Sequence, residues 1–89
     1  MTGFELKLWR TGLGWTQERA SKEFGISMRT YIRYEHADPP RAIELAIQAL
    51  SLAAMLPDID ALPADTLRQR VRTLAVDIQA QSSGPFLDE

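Results

Sequence analysis

The chain is 89 residues long, which fits one domain or one domain with an appendage, and its 45% hydrophobic residues suffice for a small core. It contains no cysteine, so disulfide bonds and thiolate metal sites are excluded. The formal net charge is −2, no apolar run reaches the length of a membrane span, and the opening residues do not resemble a signal peptide, so we expect a cytoplasmic protein without a membrane partner.

The first predicted helix covers about residues 3–12. Thr2 and Glu5 have the spacing of a capping box, in which each side chain binds the backbone N–H of the other residue. The apolar spacing predicts three inward side chains, which are Phe4, Leu8 and Trp9. Two glycines, Gly12 and Gly14, end the helix.

Residues 16 to 35, TQERASKEFGISMRTYIRYE, have the pattern of a helix, a sharp turn and a second helix. Thr16 and Ser27 are good N-caps for the two helices. Gly25 lies where the chain reverses, and glycine adopts left-handed dihedrals there without strain. The predicted helices cover about residues 16–24 and 28–36. This spacing lets the second helix enter a DNA major groove.

Helical spacing gives the second of these helices two different faces. Tyr31 and Tyr34 point into the core, and the opposite, outward face carries Met28, Arg29, Ile32 and Arg33. Arginine binds guanine through O6 and N7, and methionine or isoleucine contacts the methyl group of thymine. We therefore predict that these four outward residues contact DNA bases, and the alternative is an ordinary solvated face.

The motif resembles the lambda-repressor/Cro-like helix-turn-helix family, also called the Xre type, over roughly residues 4–53. The residues that carry the resemblance are Gly14-Trp15-Thr16-Gln17-Glu18, Gly25-Ile26-Ser27, Thr30, Arg33 and Tyr34-Glu35. The chain departs from the family at Ala20, where a larger aliphatic residue is usual, and at residues 36–38, where a glycine-containing basic turn is usual. The resemblance implies an all-α DNA-binding domain.

The resemblance also implies roles for individual side chains. In the family, the positions that match Met28, Arg29 and Arg33 commonly contact bases. The predicted phosphate contacts are Thr16, Gln17, Ser27, Thr30 and Arg41, although capping alone explains Thr16 and Ser27. Arg10 and Glu35 match a structural ion pair that orients the helices.

The fourth predicted helix covers about residues 40–55, because proline is well tolerated at the start of a helix. Its few polar side chains form a narrow stripe of Glu44, Gln48 and Ser51. One apolar face, suited to the core, consists of Ile43, Ala46, Ile47 and Leu50. The second apolar face consists of Leu45, Ala49, Leu52 and Leu56. This second face needs another partner surface.

The C-terminal part is predicted to be a linker, a helix and a tail. Residues 57–63 have the composition of a break, and the fifth helix covers about 64–80. Its apolar seam consists of Leu67, Val71, Leu74 and Ile78. We expect this seam and the spare face of the fourth helix to serve dimerisation, and the seam packs on that face either within its own chain or across a two-fold axis. Residues 81–89 are predicted to be a disordered tail.

The predicted organisation is therefore a five-helix, all-α chain with a DNA-binding domain at 1–56 and a dimerisation element at 57–80. Residues 1–41 carry seven basic and five acidic side chains, whereas residues 42–89 carry three basic and seven acidic ones. The half with the motif is thus positive, and we expect the acidic half to face away from the phosphates.

The sequence indicates a homodimeric transcriptional repressor that binds double-stranded DNA at a palindromic operator, with half-sites about 10–10.5 bp apart or a multiple of that. By resemblance, such regulators are typical of phages and mobile elements, including those beside anti-CRISPR genes. Two alternatives are an antitoxin that binds a toxin through its C-terminal half, and an activator instead of a repressor. We expect no enzyme activity, no cofactor and no metal: His36 stands alone, and Asp58, Asp60 and Asp65 lack an EF-hand pattern.

Overall fold

The computed structural model describes residues 1–81 and 85–87. This part of the chain contains six helices and no strand. They are α1 (Gly3–Gly12), α2 (Gln17–Phe24), α3 (Met28–His36), α4 (Arg41–Ala54), α5 (Leu56–Ala61) and α6 (Ala64–Ala80). The all-α class and the bounds of α1, α2, α3, α4 and α6 agree with the sequence prediction. No helix in the described ranges is long and apolar enough to cross a membrane.

The helix α5 corrects the prediction that residues 57–63 form a linker. Pro57 lies in the first turn of α5, where its missing N–H costs no intrahelical hydrogen bond. The negative charge of Asp58, in the same turn, interacts favourably with the positive end of the helix dipole. Two prolines close together indicate a break in the sequence, but here one begins a helix and Pro63 follows its end. The described part of the chain therefore has six helices, whereas the sequence predicts five.

The capping box predicted at the start of α1 is present. Glu5 donates its backbone N–H to Thr2 Oγ1 at 3.1 Å, and Thr2 donates its own N–H to Glu5 Oε1 at 3.0 Å. Two of the donors that a helix start leaves unpaired are thus satisfied.

The prediction of the inward face of α1 is partly wrong. Leu6 is fully buried, whereas Phe4 and Leu8 are 67% and 53% exposed, and Trp9 packs at the edge of the core. Apolar residues at 4, 6, 8 and 9 fit two different faces of so short a helix, so periodicity alone does not fix which face is buried.

The core lies between α1, α2, α3 and the first half of α4. Its buried side chains are Leu6, Ala20, Tyr31, Tyr34, Ile43 and Ile47. Beside them runs an aromatic row formed by Trp9, Trp15, Phe24 and Tyr31, with ring centroids 5.3 to 6.1 Å apart along the row. Aromatic contacts at this separation add to the energy of burial. The row joins α1, α2 and α3 into one body, which fixes the position of α3.

Candidate nucleic-acid interface

The turn between α2 and α3 is set by one left-handed residue. Gly25 has φ 67° and ψ 30°, and its N–H donates to Lys22 O at 3.1 Å. Ile26 donates its N–H to Ser21 O at 3.0 Å, which closes the end of α2. Ser27 Oγ then accepts the N–H of Thr30 at 3.1 Å and caps α3. Local hydrogen bonds thus determine where α3 begins.

The two faces of α3 differ sharply in exposure. Tyr31 and Tyr34 are buried, as the spacing predicts. On the opposite face Met28, Arg29 and Arg33 are exposed and Ile32 is half-buried. The guanidinium carbon of Arg33 lies 5.5 Å from the centre of the Tyr34 ring, a cation–π contact that orients the side chain. The outward face, here called the reading face (Met28, Arg29, Ile32 and Arg33), therefore carries two cations beside apolar groups.

A network centred on the Glu35 carboxylate ties α3 to the rest of the domain. Arg10 Nε donates to Glu35 Oε2 at 2.7 Å, and Arg10 Nη2 donates to Oε1 at 3.3 Å. Arg10 Nη1 donates to the carbonyl of Trp15 at 2.9 Å. Gln17 Nε2 donates to Glu35 Oε1 at 3.0 Å. The ion pair is thus shared by α1, the start of α2 and the end of α3.

The environment of Glu35 keeps it ionised. Burial raises the pKa of the Glu35 carboxyl, but hydrogen bonds from Arg10 and Gln17 outweigh this and leave the pKa below its usual value. The Arg10 guanidinium has a raised pKa because it bonds that carboxylate. Burial, and then the nearby Glu35, raises the pKa of Tyr31. The Tyr31 hydroxyl is buried there without a hydrogen bond of normal geometry to any residue that the structure describes.

The predicted phosphate-contacting side chains at α2 and α3 already have partners. Thr16 Oγ1 accepts the N–H of Arg19 at 3.0 Å, and Ser27 Oγ donates to Thr30 Oγ1 at 2.9 Å. These bonds leave the Thr30 hydroxyl proton and the second amide proton of Gln17 as available donors. Thr16 and Ser27 act as caps in this structure.

The start of α4 is occupied by a later part of the chain. The backbone N–H groups of Arg41 and Ala42 donate to Pro85 O at 3.2 Å and to Phe86 O at 2.8 Å. Pro40 precedes the helix and offers no side-chain cap. This contact departs from the predicted disordered tail, because the carbonyls of Pro85 and Phe86 satisfy donors that α4 leaves unpaired. The same prediction for residues 82–84, 88 and 89 lies outside the described residues.

The side chain of Arg41 is half-buried at this position. Its Nε is buried and has no hydrogen-bond partner among the residues that the structure describes. A buried donor on a permanently charged group favours an anionic partner. Arg41 therefore combines a helix start with a guanidinium donor that has no acceptor within residues 1–81 and 85–87.

An apolar groove runs between α4 and α6, with a volume of about 340 Å³. It is lined by Leu45, Gln48, Ala49, Leu52, Val71, Leu74, Ala75 and Ile78. Six of the eight predicted dimerisation residues are therefore brought together. Leu56 does not line the groove because α4 ends at Ala54 and Leu56 begins α5, and Leu67 lies nearer the start of α6. No residue of α6 is buried.

The remaining candidates do not form a site for a metal. His36 is exposed. Asp58 Oδ2 accepts from Arg70 Nη1 at 3.2 Å, so this carboxylate links α5 to α6. Among residues 1–81 and 85–87, no group of three or more His, Cys, Asp or Glu side chains is arranged to hold an ion.

One contact near the candidate interface is missing from the sequence prediction. The guanidinium of Arg19 lies 4.8 Å from the centre of the Trp15 ring and also bonds Glu23 at 3.2 Å. The spacings of four between Trp15 and Arg19, and between Arg19 and Glu23, are the signal that indicates both contacts. Arg19 thus places a held cation beside the start of α2.

Comparison with known proteins does not assign this chain to a family. Comparison of the chain with models of protein families, with curated proteins and with solved structures returned no significant match.

Proposed function

We propose that this chain is a sequence-specific DNA-binding regulator of transcription with a lambda-repressor-like helix-turn-helix, which acts as a homodimeric repressor. The observation that carries the proposal is the reading face of α3. It exposes Arg29 and Arg33 beside Met28 on a helix whose start is fixed by a glycine turn and a serine cap. A helix face that only contacts water would not need exposed apolar side chains beside its cations.

The chemistry of this face suits the edges of base pairs. A guanidinium group presents two parallel donors that match O6 and N7 of guanine, and apolar side chains distinguish thymine by its methyl group. The Glu35 network and the aromatic row hold α3 in place, so little conformational freedom is lost when it binds. A few side chains held in fixed positions favour sequence-specific binding of DNA over non-specific binding.

Phosphates are proposed to bind at the helix starts that flank α3. The N-terminus of α2 carries the positive end of the helix dipole, with the second amide proton of Gln17 beside it. The Thr30 hydroxyl and Arg41 add donors at α3 and α4. These contacts position the protein on the duplex and carry no sequence information.

The proposed dimer uses the groove between α4 and α6. A 17-residue helix without a buried side chain gains little from packing within one chain, and most helical stability in proteins comes from such packing. In the groove, Leu52 is 53% exposed and Val71 is 45% exposed. A second copy related by a two-fold axis supplies a matching apolar surface, since the same patch then meets itself. Two copies of α3 then face successive major grooves.

Selection of bound duplexes from a random DNA pool tests the proposal. We expect enrichment of a palindrome whose half-sites lie about 10–10.5 bp apart, or a multiple of that. The selected duplex should bind with an affinity that falls steeply as salt concentration rises, although the chain is acidic overall. Absence of any enriched sequence would contradict the proposal. A reporter placed behind the selected site then distinguishes repression from activation.

A second candidate function is an antitoxin, in which the apolar groove binds a toxin. Two residues of the α6 seam, Val71 and Ile78, are 45% and 39% exposed, which favours a protein partner of some kind. Sedimentation of the purified chain separates the two functions. A stable dimer at micromolar concentration supports the groove as a self-association surface, whereas a monomer with or without DNA leaves the groove for another protein.

A further inference from the structure

The contact between residues 85–87 and the start of α4 has a consequence for DNA binding. A helix start leaves its first N–H groups without intrahelical partners, and α4 has no side-chain cap. Here the carbonyls of Pro85 and Phe86 accept the N–H groups of Arg41 and Ala42. The side chains of Phe86 and Leu87 are more than half exposed, and the hydrogen bonds to α4 are made by the backbone.

A DNA phosphate requires the same two donors. The first N–H groups of a helix and the positive end of its dipole form an anion site, and Arg41 adds a buried guanidinium Nε without a partner among the described residues. Only residues 37–40 separate α3 from α4, so this anion site lies beside the end of α3, the helix that carries the reading face. A carbonyl oxygen and a phosphate oxygen cannot accept the same N–H group with full strength at the same time.

We propose that residues 85–87 act as an autoinhibitory segment, which occupies the start of α4 and must leave before a DNA phosphate binds there. The inference rests on the proposed function and adds a means of regulating it. In the sequence, Asp88 and Glu89 follow this segment directly, so the segment belongs to the acidic half of the chain, which phosphate groups repel. The free chain is therefore held in a state of lower affinity.

The simpler role is a cap that only stabilises α4. A cap and an autoinhibitory segment predict opposite effects on affinity when the segment is loosened. Loosening a cap leaves the affinity for DNA unchanged or lowers it, whereas loosening a competitor raises it. Thermal stability is expected to fall in both cases and does not distinguish them.

The test uses the full chain with the duplex selected from the random pool. The variant combines Pro85→Gly, Phe86→Gly and Leu87→Gly, which keeps the carbonyls but increases the conformational entropy of the segment. The matched control is Phe86→Ala, because the Phe86 side chain is 53% exposed and only its backbone bonds α4. A second variant ends the chain after Gln81 and removes the segment altogether.

We expect the triple variant and the shortened chain to bind DNA about three- to tenfold more tightly than the unmodified chain, as the loss of two backbone hydrogen bonds suggests. Phe86→Ala should bind as the unmodified chain does. In the full chain, the amide of Leu87 should show restricted motion by NMR relaxation without DNA and free motion with DNA. Equal or weaker binding by both tail variants, or a Leu87 amide that stays ordered on DNA, would overturn autoinhibition while leaving DNA binding intact. No binding by any chain would overturn the proposed function as well.

Discussion

Gln17 Nε2 lies 3.0 Å from Glu35 Oε1, so the amide predicted to contact a phosphate is bound to the carboxylate that holds Arg10. The first residue of α2 is thereby fixed to the last turn of α3. A DNA phosphate that approaches Gln17 meets an amide group already oriented by the protein. One buried carboxylate therefore holds both α3 and the amide of the proposed phosphate contact.

The stability of the protein should fall as Glu35 is protonated. The folded state lowers the pKa of this carboxyl below its unfolded value, so its contribution is complete above the unfolded pKa and is lost as pH falls through the folded pKa. We expect urea unfolding at decreasing pH, from 7 to about 3, to show this loss. Glu35→Gln should lower the free energy of unfolding by about 3 kcal/mol at pH 7. In this variant the free energy of unfolding should also fall less steeply as the pH is lowered.

Glu23→Gln is the matched control for that experiment. Glu23 accepts a single hydrogen bond from Arg19 at 3.2 Å on the surface of α2. Exposed pairs of this kind contribute about 0.3–0.5 kcal/mol. If the free energy of unfolding falls with decreasing pH as steeply in Glu35→Gln as in the unmodified chain, other carboxyls carry the pH dependence.

The first residue of α1 should tolerate no side chain. A Cβ atom on Gly3 would lie 2.5 Å from the backbone oxygens of both Glu35 and Ala37, and neither backbone group can rotate away. Gly3→Ala should therefore destabilise the fold by about 1–3 kcal/mol in thermal unfolding. A Cβ on Gly12, also within α1, meets no atom within 4 Å. Gly12→Ala should be neutral or slightly stabilising, and equal losses in both variants would contradict the close approach of α1 and α3.

Removal of a cation from the reading face should change base preference as well as affinity. Arg29→Ala is expected to weaken binding to the selected duplex by about 1–3 kcal/mol and to relax preference at one base pair of each half-site. Arg68→Ala removes the same charge from the exposed surface of α6 and should leave base preference unchanged. Fluorescence anisotropy with single-base variants of the duplex measures both effects. An unchanged preference in Arg29→Ala would remove this side chain from base recognition.

A charge placed in the apolar groove should disrupt the proposed dimer. Val71 is 45% exposed and lines the groove, whereas Val76, on the same helix, is 51% exposed and does not line it. We expect Val71→Asp to sediment as a monomer and to lose cooperative binding to the palindrome, because an unpaired carboxylate is costly in an apolar contact. Val76→Asp should remain a dimer. If both Val71→Asp and Val76→Asp remain dimers, the self-association surface does not include the apolar groove.

Local rules predict the helices near the motif because each boundary depends on a few neighbouring residues. The capping box of Thr2 and Glu5, the turn at Gly25 and the cap at Ser27 all follow from short-range hydrogen bonds. The helix α5 departs from the prediction because two nearby prolines, here Pro57 and Pro63, indicate a break unless one of them begins a helix.

Long-range contacts explain the remaining differences. The burial of Leu6 instead of Phe4 and Leu8 depends on how α1 lies against α3, which no residue of α1 specifies alone. The bond from Gln17 to Glu35 and the bonds from α4 to residues 85–86 join positions far apart in sequence. Composition and spacing do not contain this information, although spacing does identify the candidate reading face.

Amide chemical-shift mapping with the selected duplex would locate the interface itself. We expect the largest changes at residues 28–33 of α3, with further changes at the starts of α2 and α4 and small ones along the exposed face of α6. Changes concentrated on α6, with α3 unaffected by a duplex that binds tightly, would contradict recognition of bases by Arg29 and Arg33.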